Sequence, residues 1–170
     1  MRIGRFLEES PLFAITKAAR VLEARLNRAL RSEDLTFLQG LVLVAVFFED
    51  PVMVSPSQLA ESFSTTRGNM SHCLSSLEAQ GLVKRQIDRD DARVFRISIR
   101  PDGKKRAMRL IRTFDGLQNL LEHEVGARNV RQTLANIGRI ETLCLELAVR
   151  PAIGNPPVSR PAAAWHSRAV

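Results

Sequence analysis

Arg67 and Asn69 stand two residues apart with Gly68 between them. An arginine fork donates to both acceptors on the major-groove edge of guanine, and an asparagine amide donates and accepts as the edge of adenine requires. A glycine between two such side chains lets the backbone approach whatever they touch. On a helical projection of about 100° per residue, Thr65, Gly68, Asn69, His72, Ser75, Ser76 and Ala79 share one face, with Arg67 and Ser71 on its flank. Nearly all are small or hydrogen-bonding, so a helix presenting them can lie close against another surface. Thr65, Thr66, Arg67, Gly68, Asn69, Ser71, His72 and Ser75 are therefore the candidate contact residues of this segment.

The charge pattern points to a polyanion. Between Lys84 and Arg112 there are eleven basic residues against four acidic ones, a local excess of seven that equals the net charge of the whole 170-residue chain. Arginine outnumbers lysine there and Phe95 is the single aromatic residue. That composition suits phosphate contacts better than base stacking. Lys84, Arg85, Arg89, Arg93, Lys104 and Arg106 are the candidate phosphate contacts.

These residues must be held by elements, and local signals say which. Ser10-Pro11 opens a helix of about 20 residues, continued at helical spacing by Leu12, Ile15, Ala19, Leu22, Leu26 and Leu30. Thr36 and Gln39 stand at capping-box spacing. They mark the apolar run Leu41 to Phe48 as a buried helix, where periodicity alone also permits a strand. Ser55-Pro56-Ser57-Gln58 repeats the box and opens a short helix through Phe63. Thr66 caps the next helix, which runs to Gln80 and is closed by Gly81. Met70, Cys73, Leu74 and Leu77 form its buried stripe. Val83–Ile87 and Val94–Ile99 then read as two strands around a charged tip, Asp88 to Arg93. Pro101-Asp102-Gly103 starts a helix with Leu110, Ile111, Phe114, Leu117, Leu121 and Val125 on its apolar side. Gly126-Ala127 breaks it from a last helix that carries Val130, Leu134, Ile137, Ile140, Cys144 and Leu147. Residues 151–170 read as a disordered basic tail rich in Pro and Ala.

A short helix, a tight turn, a capped helix with a polar outer face and an Arg-rich hairpin make a winged helix-turn-helix. Leu59-Ala60-Glu61, Thr66 to His72, Leu77 to Val83, Asp88-x-x-Asp91-x-Arg93 and Pro101-Asp102-Gly103 resemble the MarR family of bacterial transcriptional regulators, as does Leu35-Thr36-x-x-Gln39 upstream. The resemblance spans Leu12 to Leu147. It implies a mainly α chain with a small β-hairpin, in which a DNA-binding lobe of about residues 52–100 sits between dimerisation helices of about 10–31 and 101–149, all in one domain over 1–150. It also implies a homodimer on double-stranded DNA at a pseudo-palindromic operator, more often a repressor, with a small-molecule effector of unknown identity. By similarity, Asp88 and Asp91 support the wing, with Arg93 paired to the Asp88 position. The pattern departs at Asp90, where many members carry a basic residue that enters the minor groove; Arg89 is its neighbouring substitute.

Other chemistries find little to stand on. No nucleophile elbow, Gly-rich phosphate loop or metalloprotease motif occurs, so no enzymatic activity and no cofactor are expected. His72, His123 and His166 are isolated, which argues against a metal site. Cys73 and Cys144 read as two small buried hydrophobes. The longest apolar run, eight residues, falls far short of the roughly 18 to 20 a membrane span needs, and the N-terminus turns acidic before a signal-like stretch forms. A cytoplasmic location is the expectation. The alternative reading is an architectural nucleic-acid protein without base readout; such proteins insert an apolar wedge, and the hairpin tip offers none.

Overall fold

A computed structural model describes residues 4, 7, 9–88, 91 and 94–149. The chain divides into two compact units, Met1–Gly116 and Leu117–Val170. The elements are α1 (Pro11–Ala29), a 3-10 turn (Arg31–Glu33), α2 (Phe37–Glu49), α3 (Pro56–Ser62), α4 (Arg67–Ala79), β1 (Val83–Ile87), β2 (Phe95–Ile99), α5 (Pro101–Val125) and α6 (Ala127–Val149). This is the mainly helical winged-helix architecture expected, with one antiparallel hairpin.

The helix starts in the first unit follow their local chemistry. Both capping boxes close: Gln39 N–H donates to Thr36 Oγ1 at 3.2 Å while Thr36 N–H donates to Gln39 Oε1 at 2.8 Å. Ser55 and Gln58 exchange the same pair at 3.2 and 2.9 Å. The apolar run is therefore helix, with Val42, Leu43 and Val46 buried. At α1 the proline sets the start by itself, because Ser10 takes the cap position without a side-chain hydrogen bond.

The turn between α3 and α4 closes without glycine. Ser64 adopts φ 46°, and the Ser64 and Thr65 amides donate to the carbonyls of Glu61 and Ala60 at 3.0 and 2.9 Å. Gly81 plays the corresponding part after α4, at φ 71°. There the Gly81 and Leu82 amides satisfy Glu78 and Leu77, each at 2.9 Å.

The hairpin pairs Val83 with Ile99 and Ile87 with Phe95. Val54, just ahead of α3, adds a bridge to Ile97, whose N–H donates to the Val54 carbonyl at 2.8 Å. Ile97 and Ile99 are buried, whereas Phe95, towards the tip, is exposed. The core joins Leu30, Val42, Leu43, Leu59, Met70, Leu74, Leu77, Leu82, Val83, Ile97, Ala107 and Leu110. Phe114 of α5 packs edge-on against Phe37, with ring centroids 6.1 Å apart.

Burial along α1 and in the second unit is sparse. No residue of α1 is buried. Among the described residues of Leu117–Val170, Val130 alone is buried. Cys144 is accordingly exposed and not the buried hydrophobe its place on an apolar stripe suggested, because within a single chain that stripe meets too little to cover it. The tail, residues 151–170, lies outside the described residues. No helix among the described residues is long and apolar enough to cross a membrane.

Candidate nucleic-acid interface

Two short-range features set the outward face of α4. Met70, Cys73, Leu74 and Leu77 bury the opposite stripe, which turns Arg67, Gly68, Asn69, Ser71, His72 and Ser75 into solvent. Thr66 caps the first turn through the Asn69 N–H at 3.1 Å. Asn69 Nδ2 donates to Thr65 Oγ1 at 2.8 Å, so the amide is already oriented, with its oxygen and second N–H left for a partner. Arg67 makes no hydrogen bond or ion pair among the described residues; it borders an open groove of about 270 Å³ with Ser55, Pro56, Ser57, Val94 and Phe95. A β-carbon on Gly68 would meet nothing within 4 Å.

The cations expected to meet phosphate divide into two groups. Lys84 is exposed and has no partner among the described residues. The others with a described position are engaged within the protein. Lys104 Nζ donates to Asp50 Oδ2. Arg106 Nη1 donates to the Glu33 carbonyl at 3.1 Å and to Gln80 Oε1 at 2.9 Å. Arg85 turns back onto α4, donating through Nη2 to the Ser71 carbonyl at 3.0 Å and to Ser75 Oγ at 2.8 Å. Asp88 accepts from Arg96 Nε, and the Asp91 N–H donates to Asp88 Oδ1 at 3.2 Å, so the two aspartates are joined at the base of the tip. The expectations for Arg89, Asp90 and Arg93 lie outside the described residues.

Glu33 is the hub that sequence patterning missed. Arg109 grips it through two bonds, Nε to Oε1 at 2.9 Å and Nη2 to Oε2 at 2.8 Å, and Arg106 Nε stands 3.6 Å from Oε2. The Arg109 hydrogen bonds hold the Glu33 carboxyl below the usual range, and Glu33 in turn raises Arg109. Through Arg106 and Gln80 this hub ties the 3-10 turn, the end of α4 and the first turns of α5 together. No local signal announces it, since Glu33 and Arg109 are 76 residues apart. Cys73, by contrast, is chemically quiet: burial pushes its thiol up to about 11.

A family model described as the MarR family matches residues 33–94, from the hub glutamate to the foot of β2. No curated protein sequence matches the chain. Among solved structures, a DNA complex of MepR from S. aureus is similar at a TM-score of 0.73 and 20% identity, covering 78% of this chain and 97% of that one. The transcriptional regulator SlyA reaches 0.70 at 24% identity, covering 79% and 94%. The transcriptional regulator BldR from Sulfolobus solfataricus reaches 0.64 at 26% identity, covering 77% and 91%.

Proposed function

We propose, from the premise that residues 33–94 are a MarR-family segment and that the chain has the winged-helix fold of that family's transcription regulators, that this protein is a homodimeric, sequence-specific regulator that reads double-stranded DNA with α4. The observation that carries the reading is the outer face of α4. It presents an Arg67 with no partner among the described residues, a pre-oriented Asn69 and an open Gly68 on a helix whose other side is locked into the core. His72, exposed one turn on, is assigned a phosphate contact, and the exposed Lys84 of β1 a second. The similar MepR structure is itself a complex with DNA, which supports the reading.

Homodimerisation is supported by apolar surface that one chain leaves open. Leu12, Val21 and Leu22 of α1 are 72%, 54% and 58% exposed, and Leu134, Leu143 and Leu145 of α6 are 62%, 53% and 64% exposed. Faces this apolar are stable in water only when a second surface covers them. A two-fold dimer sets its half-sites about one helical turn, roughly 10 base pairs, apart. A small-molecule effector would act from an open groove of about 480 Å³ lined by Asn27, Arg31, Asp34, Leu35, Thr36, Gln39, Ser76 and Gln80, where it would press on the end of α4. Repression is the sign of regulation that the resemblance to the MarR family implies.

The test is selection of a binding duplex from a randomised library, followed by titration of that duplex and a scrambled one. Arg67→Ala and Asn69→Ala should each cost about 1 to 3 kcal/mol per subunit on the selected duplex and little on the scrambled one. Equal losses on both would show that these residues only position the protein and that the readout lies in the wing; a wild type that selects no duplex would favour the architectural alternative. Removing the chain beyond Arg128 should abolish dimerisation and specific binding together.

A further inference from the structure

We propose that Arg85 is a positioning residue that sets the rotation of α4 about its own axis and thereby governs discrimination between base sequences, in place of the phosphate contact its charge suggests. The proposal rests on the reading of α4 given above. Arg85 reaches α4 at three places. Nη2 donates to the Ser71 carbonyl at 3.0 Å and to Ser75 Oγ at 2.8 Å, the backbone N–H donates to Glu78 Oε1 at 2.9 Å, and Nε lies 3.4 Å from Glu78 Oε2. Residues 71, 75 and 78 stand at i, i+4 and i+7, so one β1 residue holds a single lengthwise edge of the helix.

That geometry resists rotation more than sliding. A turn of about 20° around the axis would carry an atom about 6 Å from it by about 2 Å, enough to break a base contact. Core packing of Leu74 and Leu77 holds one side of α4. Arg85 holds another, next to the readout face. The guanidinium is also poorly placed for DNA: Nε is shielded from solvent and makes no hydrogen bond among the described residues, Nη2 is committed to α4, and Glu78 offsets the charge. Ser75, a candidate base contact by its position, has its hydroxyl engaged as an acceptor in this strut.

The experiment measures affinity for the selected duplex and for a scrambled duplex of equal length across a salt series, with thermal unfolding to show that each variant is folded. Arg85→Ala should lower the ratio of selected to scrambled affinity about tenfold or more, with scrambled binding and the salt slope unchanged. Arg85→Lys should not restore the ratio, because an ammonium cannot span Ser75 and Glu78 as the planar fork does. Ser75→Ala should lower the ratio in the wild-type background and add nothing to Arg85→Ala. Glu78→Ala, which removes an Arg85 anchor without touching a candidate base contact, should lower the ratio as well and carries the test should Arg85→Ala fail to fold. Equal losses on both duplexes, a salt slope smaller by about 0.9 per subunit and rescue by lysine would make Arg85 a phosphate contact and overturn the proposal. If Arg67→Ala abolishes discrimination while Arg85→Ala and Ser75→Ala preserve it, this inference alone fails. If the wild type selects no duplex, the reading of α4 fails and takes this one with it.

Discussion

A β-carbon on Gly103 would stand 2.1 Å from the carbonyl oxygen of Leu82 and 2.9 Å from Ile99 Cγ1. The first turn of α5 therefore rests directly on the backbone that leaves α4, and the same Leu82 carbonyl accepts the Arg100 N–H at 2.9 Å. Backbone cannot retreat as a flexible side chain can. Gly103→Ala should destabilise the protein by at least about 2 kcal/mol, read as a shift in urea midpoint at constant m. A loss under about 0.5 kcal/mol would show that the junction adapts.

Gly68 presents the opposite case, a glycine with open space around it. At the second position of α4 an alanine relieves the backbone entropy penalty without a clash, so Gly68→Ala should raise stability by about 0.5 kcal/mol. The added methyl would stand between the helix backbone and the bases, and affinity for the selected duplex should fall. Stability and binding moving in opposite directions in one preparation is the signature; unchanged affinity would place the backbone farther from DNA.

The Glu33–Arg109 pair predicts an acid dependence. A carboxyl held below its usual range stabilises the fold above the unfolded-state pKa, about 4.3 for Glu, and that stabilisation drains away as pH falls through the lower folded value. Thermal midpoints of wild type should fall across that window. Glu33→Gln should start lower at neutral pH and show a flatter acid limb, and because Arg109 is half exposed the difference should shrink in high salt. Parallel acid limbs for the two proteins would show that the pair contributes nothing.

Thiol labelling separates the two cysteines. With its thiol raised to about 11 and its side chain buried, Cys73 should resist alkylation at pH 8 until the fold opens. Cys144, exposed on the single chain, should label without denaturant wherever a second subunit does not cover it. Rapid labelling of Cys73 in folded protein would contradict the packing of α4.

Much of this architecture was legible locally. The boxes at Thr36–Gln39 and Ser55–Gln58 are contacts three residues apart, and the Met70, Cys73, Leu74, Leu77 stripe follows from helical period. Each depends on geometry that the chain settles within a turn or two, so residue type and spacing suffice. The charge excess over Lys84 to Arg112 was equally plain from the sequence, but its division was not. Which cations have no partner among the described residues, as with Lys84, and which are engaged within the protein, as Arg85, Lys104, Arg106 and Arg109 are, depends on carboxylates and carbonyls distant along the chain: Asp50, Glu33 and the residues of α4. The positive φ at Ser64 and the bridge from Val54 to Ile97 belong to the same class. Neither residue signals its state, because the strain of one and the pairing of the other are imposed by the packing of α3, α4 and β2 around them. A charged side chain's role is set by the nearest opposite charge or hydrogen-bond acceptor once the chain is folded, and that neighbour is a tertiary fact.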